Sequence, residues 1–302
     1  MPTVEIDYEP RALQWEVHQA LDSHRFAVAV CHRRFGKTVL AVNHLIRKAL
    51  TLKKDRPRLH YIAPTYRQGK SIAWDYIQHY CRPVPGQSPN QSELRIDFPN
   101  GGRVQILGAD NPDSMRGIYS DGAVFDEYGL MPPNVFSEVM RPALSDRAGW
   151  AFFIGTPAGK NQFYDIVEQA KREAGWWVGV FKASETGILP PDELRAARVV
   201  MTQDEYDQEY ECSFEASVKG AIYGPEMGKA ETEQRIGHVP YDPILPVETD
   251  WDLGVGDSTA IWFSQESPSG EVRLIDYHEA SGEGLSYFAK ILADKPYTYG
   301  GH

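Results

Sequence analysis

The segment 26–38, FAVAVCHRRFGKT, closes on a glycine, a lysine and a threonine set between an apolar run and a helical pattern. That context suits a phosphate loop. Backbone N–H groups and the first turn of a helix hold anionic oxygens, and a glycine lets the backbone come close to them. Lys37 would reach the β- and γ-phosphates of a nucleoside triphosphate, and the Thr38 hydroxyl would ligate Mg²⁺. Gly36 fills the last glycine place of the pattern GxxxxGK[ST], but Cys31 stands in the first, so the match is incomplete. Farther along, GAVFDE (122–127) is an apolar strand pattern closing on two acids. Asp126 would hold Mg²⁺ through water, and Glu127 would orient or deprotonate the attacking water. A strand that ends in solvated carboxylates gives the same local pattern; each motif gains meaning from the other.

Phosphoryl transfer also calls for positive charge as negative charge moves toward the leaving group. Arg33 and Arg34 lie inside the loop, and Arg116 lies shortly before the acidic strand. Either place could supply that charge, in cis or from a neighbouring subunit, although Arg116 reads equally well as a turn residue. Thr156, in GTPAG after the apolar run 150–155, stands where a γ-phosphate sensor would, unless the stretch is a plain turn. Gln14, on a helical pattern ahead of the loop, is a candidate for adenine or simply a helix-surface residue.

A second group of acids lies in TDWDLGVGDSTAIWF (249–263). Asp250 and Asp252 share one face of a strand, because side chains alternate with a period of two, and Asp257 lies across the turn. Nuclease chemistry with two metal ions needs several carboxylates that converge on the ions. A polar hairpin with solvated acids is the alternative.

Elements must carry these residues to one place. Strand patterns at 26–31, 58–64, 122–127, 150–157 and 176–184 alternate with helical patterns at 9–24, 38–52 and 68–80. A hairpin is expected where ELRIDF and RVQILGA meet through Pro99, Asn100, Gly101 and Gly102. Such alternation predicts an α/β fold with a mainly parallel sheet covered on both faces. Another helix is expected over 191–210, then a Gly- and Pro-rich connection, then strand patterns that begin VETDWDLG, TAIWFSQE and EVRLIDYHEA, and a helix over 284–294. The expected domains are 1–212, a linker 213–246, and a second unit 247–302.

The chain has 302 residues, 42% hydrophobic and 24% charged, which is ordinary for a globular protein. Its net charge of −11 argues against nucleic-acid binding by bulk charge alone. The basic run Arg47, Lys48, Lys53, Lys54, Arg56 and Arg58 reads as a solvated helix end and loop. The cysteines, Cys31, Cys81 and Cys212, show no CxxC spacing, so neither a zinc site nor a disulfide framework is expected. Neither a signal peptide nor a membrane span is expected.

Taken as a set, RRFGKT, APTYRQ, the MRG ahead of VFDE, GTPAGKNQFYD and DWDLGVGDSTAI resemble the large terminase subunit of tailed bacteriophages, from about Glu9 to the end. The resemblance implies an additional-strand P-loop ATPase motor followed by an RNase H-like endonuclease. It places Lys37, Thr38, Asp126 and Glu127 at the nucleotide, Arg33 and Arg116 near the phosphates, Tyr66 and Arg67 beside the nucleotide pocket, and Thr156 in the coupling motif. It makes Asp252 the first nuclease acid with Asp257 as companion, and leaves Asp250 open. The implied cofactors are ATP and Mg²⁺, with Mg²⁺ or Mn²⁺ at the nuclease site. The implied partners are double-stranded DNA, the small terminase subunit and the portal. A homo-oligomeric ring on the capsid, in the host cytoplasm, would be the working form.

The sequence departs from that family at its end. It stops at Tyr299-Gly300-Gly301-His302, where the strand bearing a second metal-binding acid is expected to start. An incomplete nuclease domain of three strands, with weak or absent cutting, is therefore expected, and Asp276 and Glu279 are not assigned as replacements. Two alternatives stay open. A helicase-like ATPase would need a second RecA-like domain, for which the remaining chain is too short. A non-catalytic fragment would bind partners and turn nothing over.

Overall fold

The computed structural model describes residues 4–215, 226–227, 229–230, 233–254 and 258–301. The chain divides into two compact units, Met1–Ala221 and Ile222–His302.

The first unit is built on an eight-stranded sheet in the order β3-β4-β5-β2-β6-β7-β1-β8. Its strands are β1 (Phe26–Cys31), β2 (Arg58–Ala63), β3 (Ser88–Asn90), β4 (Arg95–Asp97), β5 (Arg103–Gly108), β6 (Gly122–Asp126), β7 (Trp150–Gly155) and β8 (Trp176–Phe181). From β5 to β8 all neighbours are parallel, while β3, β4 and β5 pair antiparallel as the expected hairpin requires. The central strands are apolar along their length because both faces are covered. In β1, Ala27, Ala29 and Cys31 join one cluster with Leu40 and Leu45 of helix α2 (Lys37–Thr51) and Val17 of helix α1 (Ala12–Ser23). Val28 and Val30 join the other, with Phe125, Phe153 and Phe163.

Two expected helices are interrupted. The stretch 68–80 opens with a short turn, Tyr66–Gln68, and widens into a π-turn over Gly69–Ala73 before the α-helix Trp74–Cys81. Gly69 is pressed against the sheet there, so that a Cβ would stand 2.5 Å from Ile106 Cγ2. The stretch 191–210 breaks at Met201, whose extended backbone ends the helix Pro191–Val200. Thr202 then caps Gln203–Glu209: its Oγ1 accepts from Glu205 N at 3.2 Å, and Glu205 Oε2 accepts from Thr202 N at 3.2 Å.

The second unit is a four-stranded sheet in the order β11-β10-β9-β12. β9 (Val247–Asp252), β10 (Ser258–Glu266) and β11 (Val272–Ser281) form an antiparallel meander. The helix Leu285–Asp294 then leads to β12 (Tyr299–Gly301), which pairs parallel to β9. The expectation of three strands is thus corrected to four: Val247 N donates to Thr298 O at 2.8 Å and draws the last residues into the sheet. The expected linker is not wholly irregular either. Buried Gln265 accepts from Asp242 N at 2.9 Å and donates to Asp242 O and Leu245 O at 2.8 Å, fixing that stretch to the second unit.

Candidate active site

In a parallel sheet the loops at the carboxyl ends of the strands meet on one edge, and ligands bind there. β6, β7 and β1 are consecutive in this sheet, so the loops after Asp126, Gly155 and Cys31 are neighbours. A cleft of about 840 Å³ opens at that edge, lined by Arg33, Arg34, Gly36, Lys37, Glu127 and Thr156 among others.

The loop backbone turns through left-handed conformations at Arg34 (φ 68°) and Gly36 (φ 90°). Only the second is held by glycine, which adopts such angles without strain. From Gly36 the chain enters α2, with Leu40 N donating to Gly36 O at 3.1 Å. The loop is also gripped from outside. Arg33 N donates to Glu209 O at 2.9 Å, and the Arg33 guanidinium donates to the Glu209 carboxylate, which raises the arginine pKa further. The Arg11 guanidinium donates to Phe35 O, and Gln14 Nε2 donates to Gly36 O at 3.2 Å.

The polar groups at the cleft form two neighbouring sets, one around Lys37 and a second, more deeply buried, around Asp126. Lys37 Nζ donates to Thr156 Oγ1 at 2.7 Å and pairs with Glu127 Oε1 at 3.2 Å. Glu127 Oε2 accepts from Thr156 N at 3.1 Å, and Thr156 Oγ1 donates to Cys31 O at 3.2 Å. Thr38 Oγ1 donates to Asp126 Oδ2 at 3.3 Å, and the buried Tyr61 hydroxyl donates to the same oxygen. Asp126 Oδ1 is buried with no hydrogen-bond partner. A buried carboxylate oxygen without a donor is costly unless something binds it. Oxygen donors such as Asp126 and Thr38 are the groups that Mg²⁺ prefers, directly or through water, so these residues fit that ion.

Burial, and then the Glu127 charge, push the Asp126 carboxyl above its ordinary pKa, against the hydrogen bond from Tyr61 and the charge of Lys37. For Lys37, burial works against the ammonium, yet the carboxylates of Glu127 and Asp126 outweigh it and hold its pKa above the usual value. Lys37 is therefore an ammonium at neutral pH.

Not every expected residue joins these sets. Gln14 is buried beside a separate cavity of about 390 Å³, lined by Arg11, Phe35 and Ile188 among others, and its amide holds the loop backbone. Arg116 follows the short turn Pro112–Met115, is exposed, pairs with Asp113 at 2.7 Å, and is not among the residues lining the cleft. Tyr66 also lies off the cleft lining: its hydroxyl donates to Ser92 O at 3.0 Å and its N–H to Asp110 Oδ1 at 3.0 Å.

In the second unit, Asp250 and Asp252 are exposed on one face of β9. Asp252 stands opposite Ala260, which stands opposite Glu279, so the two carboxylates flank β10 on the same face. Tyr277 donates to Glu279 Oε2 at 2.7 Å. Asp276 is taken up by Lys295 and by Tyr297, the latter at 2.9 Å. Asp257 lies outside the described residues. Among the described residues, no group of three or more His, Cys, Asp or Glu side chains is placed to hold a metal ion. No helix among them is long and apolar enough to cross a membrane.

The family model described as terminase large subunit, T4likevirus-type, N-terminal, matches residues 32–226, from the phosphate loop through the acidic strand and beyond. The chain belongs to the terminase large-subunit family. This terminase chain is 29% identical to the large terminase subunit of Thermus phage G20c over 180 residues, 53% of this chain and 36% of that protein. It is 26% identical to that of Escherichia phage T5 over 215 residues, 68% of this chain and 48% of that protein. The chain thus spans about half or less of the length of these curated relatives. The large terminase ATPase domain of Thermus phage P74-26 superposes with a TM-score of 0.60 at 22% identity, covering 69% of this chain and 95% of that one. The large terminase of a thermophilic bacteriophage, solved in complex with ADP, superposes with a TM-score of 0.59 at 14% identity, covering 93% of this chain and 72% of that one. At these identities the likeness establishes a shared fold.

Sequence reading of the terminase chain missed Tyr61, Arg11 and Glu209, as well as Ile72 and Tyr76 at the cleft. For the last two a signal existed: large apolar side chains four residues apart on one helical face, half exposed. For Tyr61 the only hint was a phenol next to His60 inside a strand that the fold buries.

Proposed function

We propose that the first unit hydrolyses ATP as the motor of a viral DNA-packaging terminase. The observation that carries this reading is the continuous contact set Lys37–Thr156–Glu127 with Thr38–Asp126 beside it, on the loops of three adjacent strands. Lys37 binds the terminal phosphates and trades its contact with Glu127 for them. Glu127, its side chain 35% exposed, then accepts a proton from the attacking water or orients it. Thr156 bridges Lys37 and the Cys31 carbonyl, so a change at the phosphates is felt at the end of β7. Thr38 and Asp126 hold Mg²⁺, which when bound neutralises phosphate charge. Arg33 and Arg34 lie at the cleft. Arg116, exposed and away from it, suits a role on the nucleotide of a neighbouring copy in a ring. Gln14 and its adjoining cavity suit the adenine.

The partners follow from the family: double-stranded DNA, the portal and the small terminase subunit, in the host cytoplasm during assembly. The second unit is the opening part of an RNase H-like nuclease. Its antiparallel meander, crossover helix and final strand parallel to the first support that reading, with Asp252 as the acid on the opening strand.

The test is phosphate release from ATP with Mg²⁺. The wild-type chain hydrolyses ATP, and Lys37→Ala falls to background. Equal rates in the two proteins, or no thermal shift of the wild type with Mg²⁺ and ATP, would remove the proposal.

A further inference from the structure

We infer that Tyr61 is a positioning residue for the metal-bearing carboxylate, occupying one oxygen of Asp126 so that the other stays open. The inference rests on the nucleotide reading above and extends it to a residue outside every motif of the sequence. Tyr61 lies on β2, next to β6, in register with Val124. Residues in register share a face, and Asp126 lies two positions beyond Val124 on that same face. The phenol therefore points along the sheet toward the carboxylate, under α2, and its hydroxyl donates to Asp126 Oδ2.

The geometry divides the work between the two oxygens. Oδ2 receives Tyr61 and, at 3.3 Å, Thr38, while Oδ1 is buried and receives nothing. Tyr61 itself is 1% exposed, so the position of its ring is set by packing. Without the phenol, Oδ2 would keep only the longer bond from Thr38. The carboxylate would then be free to rotate, and Thr38 would be drawn toward Asp126 and away from the ion it is to ligate. A rigid phenol relieves the threonine of that task. Groups that orient metal ligands in this way influence metal affinity strongly although they do not touch the ion.

The test is calorimetry of ADP binding with and without Mn²⁺, on the full chain carrying Tyr61→Phe and, as a repacking control, Val124→Ala. Tyr61→Phe is expected to leave metal-free ADP affinity unchanged and to lower the gain in affinity that Mn²⁺ confers by roughly tenfold. Val124→Ala is expected to leave that gain intact. If Tyr61→Phe reduces the gain no more than Val124→Ala does, the inference is wrong although the nucleotide reading survives. If the wild-type chain binds no ADP at all, the nucleotide reading falls and takes this one with it. Should Tyr61→Phe fail to fold, 3-fluorotyrosine at position 61 keeps the volume and alters the donor strength. An unchanged Mn²⁺ gain would then overturn the inference, and a changed one would support it.

Discussion

The two units each present carboxylates on a sheet, and they treat them in opposite ways. In the first, Asp126 is 6% exposed, fixed by two hydroxyls and neighboured by a lysine. In the second, Asp250 and Asp252 lie open to solvent on the face of β9. An acid kept in low dielectric at a cost to stability is a strong sign of chemistry, because nothing in folding rewards it. An exposed acid costs nothing and signals little by itself. The contrast separates a cleft whose polar groups are already held in place from an acidic face that is only a row of side chains.

Neutralising Glu127, the proposed base, should break the first half of that contrast most visibly. Glu127→Gln keeps the shape and the hydrogen bond from Thr156 N but cannot accept a proton, so kcat is expected to fall by about 10²–10³-fold with ATP binding retained. A loss of less than threefold in steady-state phosphate release would mean that the buried set is structural.

Acid should separate the units next. His18 and His60 are buried in the first unit, and burial, reinforced by Arg47 and Arg58 respectively, lowers both to about 4. Burial, and then the neighbouring His18 stacked on it, also hold His44 well below its ordinary value. Their folded pKa values are below those of the unfolded chain, so unfolding takes up protons on acidification. Their contribution is intact above pH 6.5 and is lost as the pH falls toward 4. For His60 alone the full loss is on the order of 3 kcal/mol. Thermal melts between pH 7 and pH 4.5 should show the first unit failing early, and His60→Gln should flatten that slope. A slope unchanged by the substitution would show that other groups control acid unfolding.

The smallest effect is expected in the second unit. Asp252→Ala should change stability by no more than about 0.5 kcal/mol, as exposed substitutions usually do. The wild-type chain should cut plasmid weakly or not at all with Mn²⁺. Robust cutting lost in Asp252→Ala would mean that the exposed face is already a working centre and that the contrast drawn above is wrong.

Much of the cleft was legible because its parts are local. An apolar run followed by a glycine, a lysine and a threonine, or by two acids, states both the element and the group at its end. The illegible parts are those that depend on which strands become neighbours. Tyr61 reaches Asp126 because β2 lies beside β6, and nothing within RLHYIAP says so. Glu209, at the end of a helix, meets Arg33 of the loop across a long stretch of chain, which no local pattern states. Arg116 and Tyr66 show the reverse: both sit in recognisable motifs, yet their side chains engage Asp113 and Ser92 instead of the cleft. The break after Val200 falls where β-branched residues cluster, Val199, Val200 and Thr202, and a threonine followed three residues later by a glutamate marked it.

Glu127 sits at φ 55°, ψ 50°, a left-handed backbone that glycine adopts freely and asparagine tolerates. A chain selected only to fold would place one of those two residues at that turn. The turn swings the carboxylate back over the end of β7, where Thr156 N holds it, and a residue continuing the strand in the ordinary β conformation would aim elsewhere. Glu127→Gly would release the strain of that turn and at the same time leave the nearly buried Lys37 ammonium and the Thr156 N–H without their carboxylate, so the residue that strains the backbone is also the one that neutralises the loop.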